Sequence, residues 1–319
     1  MKKFKLYFLC TLVSLIAFTS CQKDNDLINE YSDTEINPTE NNNEESGEEA
    51  GLTLYRVNGN DIEKIKDYQV KKKYKIFQQD VAKHIAMWEY FSKMIPYEQR
   101  ARIVEFEVFH GEGELLGYVT PINENDLSKW KMGLAIDAAT DIDRIDLKND
   151  FAYTAIHEFG HVLTLNESQV KVGQNNCGEF DTGEGCSIAQ SYINKIFELG
   201  WEDIYPEFQK IDPDDYDAMD NFYSKYKSRF VTDYAASNPG EDIAEVFTYF
   251  VVQDERPTGQ TIADKKVQLL YGFPELVQLR KEIRKSPIVR AMKPGAWVNP
   301  NQRIKKTTLL YNNNKSYNN

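Results

Sequence analysis

Four histidines occur in the 319 residues, and two of them share one five-residue window, His157-Glu158-Phe159-Gly160-His161. Residues four apart on an α-helix are rotated by only ~40°, so both imidazoles face the same way and can grip a single ion. Glu158 stands one step round, close enough to face a water on that ion but not to displace it. Catalytic zinc takes three protein ligands and leaves a fourth position for water. The window therefore offers two ligands and a general base, and needs one ligand more. The plain alternative is a pair of surface histidines, and the neighbouring residues argue against it. Phe151, Ala152, Tyr153, Ala155, Ile156, Phe159, Val162, Leu163 and Leu165 make this segment apolar nearly all round, the pattern of a buried helix. Charged groups inside such a helix are costly unless a metal compensates them.

A third ligand is expected from a carboxylate on a second helix. The segment Asn238-Pro239-Gly240-Glu241-Asp242-Ile243-Ala244-Glu245-Val246-Phe247 begins with a capping residue and places Glu241 and Glu245 four apart on one face. Two carboxylates stacked in this way divide the labour. One binds the ion, and the other accepts a ring N–H from a ligating histidine and fixes its tautomer. Asp233 and Asp242 are substitutes within reach of the same region.

The combination HExxH…ExxxE resembles the gluzincin metallopeptidases. Locally it is most similar to the catalytic domain of anthrax lethal factor, which also carries HEFGH, and the whole chain resembles zinc metallopeptidase lipoproteins of Bacteroidetes. The resemblance implies one Zn2+ ion held by His157, His161 and Glu241, with Glu245 behind a ligating histidine. It also implies Glu158 as the base that takes a proton from the zinc-bound water and passes it to the leaving amine. In that pattern a tyrosine precedes the ligand glutamate by seven residues, as Tyr234 precedes Glu241, and donates a hydrogen bond to the oxyanion. The segment between His161 and Glu241 is longer than in lethal factor, so an insertion carrying Cys177 and Cys186 lies between the motifs.

The elements that must position these residues read as α+β. A zincin-like fold is expected, with a small mixed sheet packed on the HExxH helix and a mainly helical C-terminal part. One amphipathic helix is expected over 74–94, ended by Pro96, with His84 as a packing or surface residue. Ile103–Phe109 reads as a strand, with Gly111 and Gly113 as turn signals, His110 as a turn residue and Leu115–Thr120 as its hairpin partner. A third strand fits Trp130–Asp137, which could hold an extended peptide by edge pairing. Asn149 or Asp150 can cap the helix over 151–165. Further helices are expected at 187–200, 216–228 and 241–252, with an amphipathic pair over 262–285 broken at Gly272-Phe273-Pro274. Asp212, Asp214, Asp215, Asp217 and Asp220 lack the spacing of a calcium-binding loop and read as a solvated acidic stretch. Lys71-Lys72-Lys73 reads as a solvated face.

The N-terminal residues speak to location. Lys2, Lys3 and Lys5 precede a short apolar run, Leu6–Phe18, and the small pair Thr19-Ser20, so residues 1–20 read as a signal peptide. Cys21 follows directly, and the arrangement resembles the lipobox of bacterial lipoproteins, which implies acylation at Cys21 and membrane anchorage. Residues 21–51 form an acidic tether, with ten acidic and no basic residues between Asp24 and Glu49, too polar to fold. Its opening, Gln22-Lys23-Asp24-Asn25-Asp26, looks like a surface-export signal of Bacteroidetes lipoproteins. The catalytic domain is then expected over 52–310 and a disordered tail over 311–319. Cys177 and Cys186 remain as an even pair in an oxidising compartment and are expected to form a disulfide.

A net charge of −12 without a basic patch excludes nucleic acid as a natural partner. Taken together, the expectation is a zinc-dependent peptidase acting on a peptide or protein, on the surface of a bacterial outer membrane, within or beside a nutrient-import complex. Two rivals remain. One is a zinc hydrolase of a non-protein amide in cell-wall or glycan material, and the other is a non-catalytic binding lipoprotein with structural zinc.

Overall fold

The computed structural model describes residues 50–140, 142, 150–174 and 176–292. The expected signal peptide, the lipidation of Cys21, nearly all of the tether, the capping role of Asn149 and the tail at 311–319 lie outside those residues.

The first described elements are β1 (Ala50–Asn58) and β2 (Asp61–Asp67), an antiparallel hairpin beyond the strands expected from the sequence. The single helix expected over 74–94 is two, α1 (Lys75–Gln79) and α2 (Val81–Met94). Asp80 divides them. Its backbone leaves the helical region and its side chain accepts the Lys83 N–H at 3.1 Å, capping α2. Met87, Trp88, Phe91 and Met94 enter the core, whereas Ile76, Val81 and Ile85 face outward. His84 is fully buried, bonded to Tyr55 Oη and the Phe77 carbonyl.

After α3 (Tyr97–Arg100) come β3 (Ile103–His110), β4 (Gly117–Asn123) and β5 (Asp126–Ala135). The five-stranded sheet runs β2-β1-β3-β5-β4, with β3 and β5 parallel and the other pairs antiparallel. The 115–120 segment does not pair with the 103–109 strand, because β5 lies between them. Equally, the 126–135 strand has no free edge to offer a peptide. Residues Phe106–Phe109 and Met132–Ala135 are buried on both faces, which demands central positions. β4 is partly exposed, and Pro121 can sit there because an edge strand tolerates the missing N–H.

Helix α4 (Asp150–Leu165) crosses against β4 and β5. A two-stranded ribbon follows, β6 (Val170–Lys171) with β7 (Cys186–Ser187), and the Cys177–Cys186 disulfide closes its loop with an S–S distance of 2.00 Å. Helix α5 (Tyr192–Gly200) starts later than the expected 187 because Ser187 is in β7 and Ser191 caps the helix. Next are α6 (Tyr205–Phe208) and α7 (Tyr216–Tyr226). Asp212, Asp214, Asp215, Asp217 and Asp220 are exposed, and Asp215 caps α7 through the Ala218 N–H. Then come α8 (Pro239–Val252), α9 (Ile262–Leu270), α10 (Pro274–Ile283) and α11 (Pro287–Ala291).

The result is an α+β architecture with a mixed five-stranded sheet and a helical C-terminal half. One core joins the sheet to α2, α4, α8 and α10, and a smaller aromatic cluster gathers Trp201, Phe222 and Phe230. Among the described residues no helix is long and apolar enough to cross a membrane.

Candidate metal centre

Two helices that are buried nearly all round, α4 and α8, pack against each other. Gly160 within the HEFGH window lets them approach. A Cβ there would stand 3.2 Å from the Phe247 ring and 3.3 Å from Ala244 Cα, tighter than ordinary contact. The start of α8 is locally encoded. Asn238 accepts the Glu241 N–H at 2.9 Å as N-cap, and Pro239 occupies the first turn, where no N–H is needed. Glu241 therefore sits in the first turn, where the helix dipole favours an anion.

This packing brings His157, His161 and Glu241 together as a buried group able to hold a metal ion. His157 Nε2 lies 2.9 Å from Glu241 Oε2 and 3.1 Å from His161 Nε2, and His161 Nε2 lies 3.3 Å from the same Glu241 oxygen. Ligands of a tetrahedral ion with bonds of about 2.0–2.1 Å stand about 3.3–3.4 Å apart, so the triangle is slightly contracted but of the right size. The two nitrogens and one oxygen are a donor set suited to a divalent transition metal.

The hydrogen bonds say why a cation fits. Glu245 accepts from His157 Nδ1 at 2.8 Å, and a carboxylate can only accept, so the ring proton is on Nδ1. In a neutral His157 ring, Nε2 then turns its lone pair toward the Glu241 carboxylate 2.9 Å away. Two acceptors at that distance repel unless a positive charge lies between them. By themselves these residues meet the need with a proton. Burial opposes charge on His157, but Glu241 and Glu245 more than reverse it and push its pKa up to about 10. Burial likewise acts to raise the Glu241 pKa, and His161 and His157 hold it well below the usual carboxylate range. A divalent ion bound by the same lone pairs would take the place of that proton. His157, Glu158, His161, Glu241 and Glu245 are all at most 7% exposed, so the group is desolvated at a cost of several kcal/mol per unpaired charge.

The remaining expected residues fall around this triangle. Glu158 is buried on α4 against the first residue of the edge strand. A Cβ at Gly117 would lie 2.9 Å from Glu158 Cγ and 3.2 Å from its Oε1. Tyr234 opens a 3-10 turn, Tyr234–Ala236, with its ring 5.6 Å from that of His157. Asp233 and Asp242 are engaged elsewhere, Asp233 with the Tyr234 N–H and Asp242 with Lys266 and Trp201.

Three contributors were not foreseen from the sequence. Tyr153 and Thr232 each donate a hydroxyl to Glu245 Oε2 at 2.7 Å, and Gly117 makes room for Glu158. Tyr153 is four residues before His157, so helical spacing could have revealed it. Nothing local marks Thr232 or Gly117. No protein-family model matches this chain, and neither a curated protein nor a solved structure matches it significantly.

Proposed function

We propose that this chain is a zinc-dependent metallopeptidase of the gluzincin type with a zincin-like fold. The observation that carries the reading is the buried triangle of His157 Nε2, His161 Nε2 and Glu241 Oε2 with Glu158 beside it on the same helix. Among the described residues the group stops at three ligands. Structural zinc sites normally close with four protein ligands, whereas catalytic ones keep a position open, which favours an enzyme over a structural zinc site.

Zinc held there would supply Lewis acidity, polarising a scissile carbonyl and acidifying a water. Glu245 keeps the His157 ring in the tautomer and orientation needed for binding. The Glu158 carboxylate takes the proton of the attacking water and returns it to the leaving nitrogen. Tyr234 donates toward the oxygen that gains charge. The outer edge of β4, beside Glu158 and paired with no further strand among the described residues, offers backbone pairing to an extended peptide. The same proposal places the enzyme at the bacterial outer membrane, anchored through Cys21 and displayed on the surface beside a nutrient importer. The Cys177–Cys186 disulfide agrees with an oxidising compartment.

The test is Glu158→Gln, assayed on peptide libraries beside muropeptides. The variant keeps its zinc and loses at least about a hundredfold in hydrolysis. Unchanged turnover removes Glu158 from the mechanism, and cleavage of muropeptides alone moves the substrate to cell-wall amides.

A further inference from the structure

Glu245 has no solvent exposure, and three donors stand in for the water it lacks. Its Oε1 accepts from His157 Nδ1, and its Oε2 accepts the hydroxyls of Tyr153 and Thr232, both at 2.7 Å. The two hydroxyls differ in how they are anchored. Tyr153 lies on α4, one turn before His157, and shares a rigid helix with that ring. Thr232 lies in the bend between α7 and α8, two residues before Tyr234. Its Oγ1 also accepts the Ala235 N–H at 3.1 Å, inside the turn that sets the Tyr234 ring beside His157.

We propose that Thr232 is a positioning residue that couples the two halves of the site. One hydroxyl orients Glu245, and through it the His157 ring, while fixing the turn that carries Tyr234. The roles do not compete, because a hydroxyl donates through its hydrogen and accepts through its lone pairs. The stiff χ1 of a β-branched residue holds both bonds in one rotamer. A shift of the metal ligand is then felt at Tyr234, and a shift of the Tyr234 turn is felt at the metal. The inference rests on the metal site proposed above.

The experiment compares the full chain with Thr232→Val, Thr232→Ser and Tyr153→Phe. Zn2+ affinity is measured by chelator competition, the visible spectrum is recorded with Co2+ in place of zinc, and amide exchange is followed at Ala235. Thr232→Val weakens Zn2+ binding by about threefold to tenfold, the worth of one hydrogen bond. It also shifts the Co2+ bands and speeds exchange at Ala235, and Thr232→Ser restores all three. Tyr153→Phe weakens the metal by a similar factor but speeds Ala235 exchange less than Thr232→Val does, since the Thr232–Ala235 bond survives. Parental affinity and spectrum in Thr232→Val overturn the coupling, as does equal acceleration of exchange by Tyr153→Phe. Failure of the parent chain itself to bind Zn2+ or Co2+ refutes the metal site, and the coupling falls with it.

Discussion

Lys266 should be indispensable to the stability of this protein although it lies outside the candidate metal centre. Its ammonium and the Asp242 carboxylate are both fully buried, 2.5 Å apart, and the Trp201 Nε1–H donates to the same carboxylate oxygen at 2.8 Å. The Phe230 ring stands 4.7 Å from the ammonium, and Asp242 Oδ1 has no hydrogen-bond partner among the described residues. Burial raises the Asp242 pKa and lowers that of Lys266, against the attraction between them. Lys266→Met keeps an apolar stem but strands a buried carboxylate with one donor, and such a loss costs about 3–5 kcal/mol. In a unit of this size each kcal/mol moves the midpoint by about 2–4 °C, so a fall of roughly 6–20 °C is expected. The penalty has a pH sign. A folded-state pKa above the unfolded one means the folded protein binds the proton more readily, so the variant loses stability as pH rises and recovers as Asp242 protonates. Adding Asp242→Asn removes the charge, keeps an acceptor for Trp201 and restores much of the loss. Urea denaturation of parent, single and double variants measures this coupling. A Lys266→Met protein within about 1 kcal/mol of the parent, or a double variant no more stable than the single, refutes the reasoning.

Two further outcomes follow from close packing and from chain closure. Gly117→Ala places a methyl 2.8 Å from Thr154 Cγ2 and 2.9 Å from Glu158 Cγ, and the stiff threonine cannot yield. The proposed hydrolysis should fall about tenfold or more, because a shift of about an ångström in a reacting group is that costly, while metal binding at the candidate centre stays at the parental level. Equal activity in this variant dissociates Glu158 from the edge strand. Replacing Cys177 and Cys186 by serine opens a short loop whose closure is worth about 2–3 kcal/mol in the chain-entropy account. Thermal unfolding of that variant should match the parent under reducing conditions and fall below the oxidised parent. Coincident curves in all states would mean that the loop melts apart from the core.

What was legible in the sequence was local. His157 and His161, and again Glu241 and Glu245, are helical neighbours whose spacing alone puts each pair on one face, and the cap at Asn238 announces the start of α8. Their meeting across α4 and α8 was inferred through a family pattern and is present in the fold. The β1–β2 hairpin was missed although Asn58-Gly59 is a turn signal between alternating segments. The strand order was not readable, because β3 and β5 pair directly although β4 lies between them in sequence, and that pairing depends on burial of both faces. The break at Asp80 hid within a continuous apolar period, since a cap competes with helix propagation only through one side-chain bond. Thr232 and Gly117 owe their roles to contacts distant in sequence, so their residue types carried no mark.

Whether His157, His161 and Glu241 hold one zinc ion is decided by metal analysis of the purified full chain beside Glu241→Ala. About one zinc per parent chain is expected, lost or greatly weakened in the variant while the fold is retained. A parent without bound metal after zinc loading, or a Glu241→Ala protein that keeps zinc as tightly as the parent, contradicts it.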